Sequence, residues 1–296
     1  MEPEKLEPEK TADGSYTFFS SQFNEAFHSR QGARLEAEQK FVGPAQLAKL
    51  AAGTTVCLID VCYGLGYNTA AALDTIWQIN PQCHVQWYGL ELDVTVPRTA
   101  IAHHLLDQWT HPIAQYLTQL ANSESESCSR VTATTSPHPF TAHLLWGDAR
   151  QTIQQVIGAE FKADAIFLDP FSPANCPQLW TVEFLANVVR CLAPTGHLAT
   201  YSCAAAVRTA LQLAGLQLGA TPGVGRKSPG TIANFSGTNI LPLSQQEQEH
   251  LQTRAAIPYR DPSLCDPMTV IQQRRRQEQA ESNLESTSQW KKRWFL

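Results

Sequence analysis

The sequence predicts an α/β fold in which a doubly wound, mainly parallel sheet is covered by helices on both faces. Apolar runs with the length of buried strands recur along the chain, as at residues 55–61 and 163–168. Segments with helical patterning separate these runs, and alternation of this kind indicates parallel strands in one sheet. Acidic residues directly follow several of the runs, which is typical of ligand sites at the carboxyl ends of parallel strands.

The 296 residues are enough for one large α/β domain with additions. Residues 1–14 are rich in Glu and Lys, and we expect a disordered lead-in there. The predicted domain covers residues 15–241 and begins with an aromatic hairpin or flap over residues 15–28. Residues 242–296 are predicted to form a polar and basic C-terminal extension that is partly helical and mobile.

Strands and helices are predicted to alternate through the domain. A helix over residues 36–52, with a break at Gly43-Pro44, precedes the first strand. The strands are predicted at residues 55–61, 84–90, 142–146, 163–168 and 196–202, with the last strands near residues 217 and 231–235. The helices between them are predicted at residues 68–79, 149–157, 180–192 and 204–213, with helical material up to residue 120 and a loop or insertion at residues 121–139.

Composition limits the class of protein and its partners. Hydrophobic residues make up 43% and charged residues 17%, an ordinary balance for a globular protein. There is no signal peptide pattern and no apolar run of the roughly 18 residues that a membrane span requires, so we expect a cytoplasmic protein. The net charge of −5 disfavours a broad nucleic-acid surface, so any RNA contact must be local or rest on the basic tail. The eight cysteines contain no Cys-x-x-Cys pair and are predicted to be reduced and free of metal.

The first strand leads into a glycine loop, DVCYGLGYN at residues 60–68, that is predicted to contact a nucleotide-type ligand. Gly64 and Gly66 allow a sharp turn and a close approach of the backbone. A dinucleotide-binding loop would carry a third glycine where this chain has Thr69, which disfavours an NAD-linked oxidoreductase. The loop instead resembles the acidic-x-Gly-x-Gly-x-Gly loop of Rossmann-like class I methyltransferases, with Cys62 in place of the first glycine. An ordinary glycine turn is the alternative.

Acidic residues also end the second and third predicted strands. Glu91 is placed to accept hydrogen bonds from both hydroxyls of a ribose, whereas Asp93 lies beyond the strand and suits a helix N-cap. Asp148 is placed to accept from the exocyclic amine of adenine, with the Ala149 backbone amide opposite the ring nitrogen. A solvated strand end for Glu91 and an N-cap for Asp148 are the alternatives.

The fourth predicted strand leads into a proline-rich loop, residues 169–180, that we interpret as the reacting end of the site. Asp169 is suited to accept an N–H bond from a target amine, orient its lone pair and take its proton. Phe171 and Trp180 are suited to wall the pocket, since an aromatic face favours a cation. The loop resembles the D/N-P-P-Y loop of amine-directed methyltransferases, with Phe171-Ser172 in place of Pro-Tyr. A proline-rich turn with a structural aspartate is the alternative.

Four stretches, residues 25–37, 60–68, 168–180 and 201–227, together resemble the stand-alone form of the MnmC-like family of tRNA-modifying methyltransferases. They match the family's E-x-Y-H-S segment, its glycine loop, its L-D-G-F-A-P-x-x-N-P-x-x-W signature and its G-x-G-x-K run. The resemblance covers roughly residues 15–235. The chain departs from the family pattern at Cys62 and Pro170, which replace glycines, and at Asn175-Cys176.

The resemblance implies that S-adenosyl-L-methionine is the cofactor, without FAD or a metal, and that Asp169 is catalytic. It implies methyl transfer to the 5-aminomethyl group of the wobble uridine, so the expected partner is the tRNA anticodon region, with a separate enzyme supplying the aminomethyl precursor. The predicted cofactor contacts are Asp60, Gly64, Gly66, Asn68, Glu91, Asp148, Ala149 and Asp169. The predicted substrate contacts are Phe171, Pro173, Trp180, Arg226 and Lys227, the last two with solvated loop cations as the alternative. A methyltransferase for a small-molecule or protein amine, and a non-catalytic scaffold of the same fold, remain open.

Overall fold

The computed structural model describes residues 6–109, 112–123, 125, 127–135, 137–223 and 229–295. It confirms the α/β fold, with helices flanking one mixed sheet of eight strands. The strands of this sheet are β1 Thr55–Val61, β2 His84–Glu91, β3 Cys128–Ala133, β4 Phe140–Trp146, β5 Ala163–Leu168, β6 Leu192–Thr200, β7 Gln217–Ala220 and β8 Thr231–Asn234.

The helices follow the alternation that the sequence predicts. They are α1 Ala33–Glu36, α2 Leu47–Leu50, α3 Tyr67–Ile79, α4 Thr95–Ala102, α5 Ile113–Ala121, α6 Ala149–Gly158, α7 Val182–Arg190, α8 Ala205–Leu213, α9 Gln245–His250, α10 Met268–Glu281 and α11 Thr287–Trp294. A π-helical turn, Ala37–Val42, continues α1, and 3-10 turns lie at Pro177–Trp180 and Arg254–Ala256. Within the described ranges no helix has the length and apolar character that crossing a bilayer requires.

The strand order across the sheet is β7-β8-β6-β5-β1-β2-β4-β3. The five central strands, from β6 to β4, pair in parallel, whereas β8 and β3 run antiparallel to their neighbours. The chain runs from β1 outward to β2 and β4, and then returns to the opposite side of β1 to form β5. A reversal of this kind leaves a crevice at the carboxyl ends of β1 and β5, which is where ligands bind in open α/β sheets.

The central strands are apolar on both faces because each face of the sheet packs against its own buried cluster. Along β1, Leu58 belongs to the cluster on one face and Ile59 to the cluster on the other. The same alternation holds in β5, where Phe167 and Leu168 belong to opposite clusters. Strands buried in this way read as continuous apolar runs, which explains why the sequence predicts them well.

Two segments are more regular than the sequence predicts. Glu9–Lys10 pairs with Tyr16–Thr17, so the described part of the lead-in, residues 6–14, includes a strand. Within the predicted loop at residues 121–139, Cys128–Ala133 forms the antiparallel edge strand β3. An edge strand covered on one side alternates polar and apolar side chains, and its signal is weaker than that of a buried strand. The predicted aromatic hairpin is present, with Phe19–Ser20 paired to Glu25–Ala26.

The C-terminal residues 242–295 fold back onto the domain, which differs from the mobile extension that their composition predicts. Helix α10 buries Ile271 completely, and α11 buries Trp290 against α9. Asp261, between α9 and α10, is also fully buried and receives a hydrogen bond from the domain. Single apolar anchors in otherwise polar helices give little periodic signal, so these contacts could not be predicted from hydrophobicity.

Candidate active site

A cavity of about 270 Å³ lies at the carboxyl ends of β1, β2, β4 and β5, beneath the N-terminal hairpin. Six of the predicted site residues line it: Gly64, Glu91, Asp148, Ala149, Asp169 and Phe171. Asp60, Gly66, Asn68, Pro173 and Trp180 lie outside the cavity wall. Arg226 and Lys227 lie outside the described residues. The topology therefore brings the ends of four strands to one crevice.

Asp60, the second-to-last residue of β1, is fully buried. Its Oδ2 accepts a hydrogen bond from Thr69 Oγ1 at 2.7 Å, while Oδ1 has no partner among the described residues. Burial raises the pKa of Asp60 to about 8; the Thr69 bond opposes this shift and the charge of Glu91 adds to it. The neutral acid is favoured near pH 7. Asp60 thus anchors the start of α3 through its bond to Thr69, which stands where a dinucleotide-binding loop would carry glycine.

Glu91, at the end of β2, faces the cavity with both carboxylate oxygens fixed by the backbone. Oε2 accepts from Gly64 N at 2.7 Å, and Oε1 accepts from Asp93 N at 2.9 Å. Burial raises the pKa of Glu91, and these backbone hydrogen bonds oppose the shift. An ionised carboxylate has about four acceptor sites. The two hydrogen bonds from Gly64 and Asp93 therefore leave acceptor capacity on this carboxylate at the cavity.

The glycine loop turns through left-handed conformations directly behind Glu91. Gly64 has φ 56° and Gly66 has φ 87°, and Cys62 adopts φ 68° where the family pattern has glycine. A Cβ atom at Gly66 would meet Tyr63 Oη at 2.6 Å, so this position excludes a side chain. Gly64 lines the cavity, where its small size leaves room for a ligand.

Gly66→Ala is expected to lower the free energy of unfolding by about 2–4 kcal/mol, because it combines left-handed backbone strain with overpacking against Tyr63. Gly215 is a matched control, since it has a similar φ of 95° and no atom within 4 Å of a built Cβ. Gly215→Ala should cost only the strain, about 1 kcal/mol. Urea denaturation of both variants tests this expectation, and equal losses would contradict it.

Asp148 lines the cavity and also caps α6. Its side chain accepts from the Arg150 backbone N–H, so the N-cap alternative is confirmed. The Arg150 guanidinium also contacts both carboxylate oxygens, the shortest contact being Nη2 to Oδ2 at 2.6 Å. Arg150 Nη1 in turn donates to Asp261 Oδ2 at 2.9 Å. The C-terminal segment thereby supports this end of the cavity, a role that sequence reasoning missed.

Asp169 follows β5 and is half-buried at the cavity. Its backbone N–H donates to Val61 O at 3.0 Å, and its Oδ2 accepts from Asn68 Nδ2 at 2.8 Å. Asn68 is buried at the start of α3. The glycine loop therefore holds the carboxylate in place through Asn68, which the sequence analysis had assigned to the cofactor.

Aromatic side chains form part of the wall of the same cavity. Phe171 stacks on Phe23 of the hairpin, with ring centroids 4.4 Å apart and planes at 19°. Phe27 meets Phe171 edge-on at 4.9 Å. Trp180, predicted to be part of this wall, is instead fully buried and donates from Nε1 to Phe171 O at 2.8 Å. It supports the loop from behind.

Glu25 fastens the hairpin to the loop that follows β5. Its Oε2 accepts from Ser172 N at 3.0 Å and from Asn175 Nδ2 at 3.1 Å. Glu25 and the two hairpin phenylalanines line the cavity, although sequence reasoning had not assigned them to the site. The aromatic pattern of residues 15–28 predicts the hairpin itself, but it does not indicate which part of the domain the hairpin covers.

The cavity suits a cationic ligand. Its lining contains six carboxylates, from Glu25, Glu36, Glu91, Asp93, Asp148 and Asp169. Arg150 is the one basic residue among the described lining residues, and Asp148 and Asp261 already pair with it. Carboxylates that outnumber cations favour positive charge in a partly enclosed site. The positively charged adenosyl sulfonium therefore fits this cavity. No cluster of three metal-ligating side chains occurs in the part of the chain that the structure describes.

Comparisons with known proteins identify the family of this chain. A family model described as S-adenosyl-L-methionine-dependent methyltransferase matches residues 104–236. The crystal structure of MNMC2 from Aquifex aeolicus superposes with a TM-score of 0.78 at 30% identity, covering 95% of this chain and 87% of that chain.

Two curated relatives show the same similarity over much of this chain. The tRNA 5-methylaminomethyl-2-thiouridine biosynthesis bifunctional protein MnmC of Ralstonia nicotianae is 29% identical over 231 residues, which is 77% of this chain and 34% of that protein. An uncharacterized protein of Methanocaldococcus jannaschii is 28% identical over 263 residues, which is 86% of this chain and 67% of that protein. This chain spans about a third of the length of the bifunctional MnmC relatives. It belongs to the MnmC-like family of S-adenosyl-L-methionine-dependent methyltransferases.

Proposed function

We propose that the protein transfers a methyl group from S-adenosyl-L-methionine to the 5-aminomethyl group of the wobble uridine of tRNA. The observation that carries the proposal is the position of Asp169, which Asn68 holds at the cavity that Phe23 and Phe171 also line. The MnmC relatives are named for tRNA 5-methylaminomethyl-2-thiouridine biosynthesis, which supports this acceptor.

When bound, the cofactor supplies an electrophilic methyl group on a positively charged sulfur. Glu91 accepts hydrogen bonds from the ribose hydroxyls, and Gly64, which has no side chain, leaves room for the part of the cofactor next to the ribose. These contacts fix the position of the methyl group relative to Asp169. A fixed in-line approach over roughly 3–3.5 Å accounts for much of the rate in such transfers.

Asp169 acts on the acceptor nitrogen. A free aliphatic amine is protonated near neutral pH, and a nitrogen in that form has no lone pair to react. The Asp169 carboxylate first takes a proton from the ammonium group, directly or through water, and then accepts an N–H bond that aims the freed lone pair at the methyl group. The nitrogen–carbon bond forms as the sulfur–carbon bond breaks, the product is a protonated secondary amine, and Asp169 passes its proton to solvent. Asn68 keeps one carboxylate oxygen in place throughout.

The aromatic wall suits a planar base. Phe23 and Phe171 line the cavity with apolar rings, and stacking of one base on an aromatic side chain contributes about 1–3 kcal/mol. The negative lining of the cavity repels phosphate, so only the cationic aminomethyl arm and its base enter. The acceptor amine must already be free, and we assign its formation to a separate enzyme.

The experiment uses labelled S-adenosyl-L-methionine and bulk tRNA from a strain that lacks this methyltransferase. We expect label in tRNA and, after nuclease digestion, conversion of the 5-aminomethyl nucleoside to its N-methyl form by mass spectrometry. Transcribed tRNA without modifications is the matched control and should remain unlabelled. Labelling of free or protein amines with no label in tRNA would reject the proposal and favour the alternative amine substrates.

A further inference from the structure

We propose that Gln178 accepts the hydrogen bond from the exocyclic amine of the cofactor's adenine, the role that sequence analysis assigned to Asp148. The inference depends on binding of S-adenosyl-L-methionine and not on the identity of the acceptor. It makes Gln178 a specificity-determining residue for the adenine base.

Asp148 already uses its acceptor sites within the protein. Oδ1 accepts from Arg150 N at 2.9 Å and Nε at 3.1 Å, and Oδ2 accepts from Nε at 3.1 Å and Nη2 at 2.6 Å. A carboxylate has about four lone-pair sites, so these contacts fill them. Arg150 is held in turn by Asp261 Oδ2 at 2.9 Å and by Asp266 O at 3.0 Å. Freeing Asp148 for adenine would break a partly buried charge pair.

Gln178 offers the complementary feature. It lines the same cavity, and its Oε1 is a buried oxygen without a hydrogen-bond partner among the described residues. An acceptor left unpaired in this way is unfavourable, and a ligand N–H that reaches it recovers the loss. Adenine carries such a donor in its exocyclic amine.

The fold places Gln178 at the same end of the cavity as Asp148. The 3-10 turn Pro177–Trp180 carries Gln178 and packs against α10, and Gln272 of α10 donates to Ala174 O at 2.9 Å. Asp266, just before α10, holds Arg150. Burial raises the pKa of the Cys176 thiol to about 12, and the charges of Asp148 and Arg150 also act on that thiol. The turn therefore begins near Asp148.

The test is isothermal titration with S-adenosylhomocysteine and with its purine analogue, in which hydrogen replaces the 6-amino group. Wild type should bind the analogue roughly 5- to 50-fold more weakly, because Oε1 of Gln178 then stays unpaired. Gln178→Ala should weaken S-adenosylhomocysteine by a similar factor and bring the two affinities close to equal. Gln178→Met is a second variant for the case that alanine disturbs the local packing. Methionine has a similar length but no amide oxygen, so this variant should also bind the two ligands with nearly equal affinity. Gln154→Ala, which changes an exposed glutamine of α6, is the control and should retain discrimination.

Asp148→Asn separates the two assignments. If Gln178 holds the amine, Asp148→Asn retains discrimination between the two ligands even where it weakens both. Loss of discrimination in Asp148→Asn together with its persistence in Gln178→Ala and Gln178→Met would overturn the proposal. A second result would also overturn it: the Gln178 variants bind S-adenosylhomocysteine as tightly as wild type but have a raised KM for the methyl acceptor. Gln178 would then contact the acceptor and not the adenine.

Discussion

Asp169→Asn is expected to lower kcat for methyl transfer by roughly 10²–10⁴-fold while leaving the Kd for S-adenosylhomocysteine nearly unchanged. The asparagine side chain keeps an oxygen that can accept from Asn68, so the geometry of the loop should persist. It cannot take a proton from the acceptor nitrogen, and it removes the negative charge beside the reacting amine. The loss therefore falls on the reaction and not on cofactor binding.

Single-turnover kinetics with saturating cofactor measure this loss, and titration calorimetry measures binding. Asp107→Asn is the matched control, because Asp107 is an exposed aspartate that pairs with His104 on the surface. It should leave both values at the wild-type level. A rate for Asp169→Asn within a factor of three of wild type would contradict the catalytic role, and it is also the outcome that a non-catalytic scaffold predicts.

The second large effect is expected at Glu91. Charge-assisted hydrogen bonds contribute about 1.5–3 kcal/mol each, and an amide retains only one oxygen acceptor. Glu91→Gln should therefore raise the Kd for S-adenosylhomocysteine by roughly 100-fold. Part of the loss comes from the loop itself, since the Gly64 and Asp93 amides then compete for that oxygen.

Titration calorimetry on folded protein measures the change, with urea denaturation to confirm that the variant keeps its structure. Glu38→Gln is the control, because Glu38 is a partly exposed glutamate that pairs with Arg34 away from the cavity. A stable Glu91→Gln protein with wild-type affinity would show that the ribose does not lie at the end of β2.

Much of the fold was predictable from the sequence because the central strands are buried on both faces. Short continuous apolar runs such as those of β1 and β5 are typical of strands buried on both faces. The edge strand β3 and the helices beyond residue 242 were not predictable in the same way, since their stability comes from particular contacts with the domain. Trp290 and Ile271 are single buried anchors in polar segments, and no periodicity identifies them.

The site was predictable in outline, because parallel strands deliver their carboxyl ends to one edge. The sequence could not separate the roles of the acids, since these depend on environment. Asp60 is enclosed and favours its neutral form, whereas Glu91 is fixed by two backbone amides. Asn68 reaches Asp169 across 101 positions of sequence, a pairing that only the folded glycine loop creates. For Asp148 the sequence left a cofactor contact and an N-cap both open; the structure shows the N-cap, and the side-chain pairing with Arg150 was not predicted.

A crystal structure with S-adenosylhomocysteine bound tests the central claim most directly. We expect the ribose hydroxyls within hydrogen-bond distance of Glu91, and the sulfur turned toward Asp169 in the crevice between β1 and β5. A ligand that occupies another surface, or one whose sulfur lies away from Asp169 with no space for an incoming amine between them, would contradict the account.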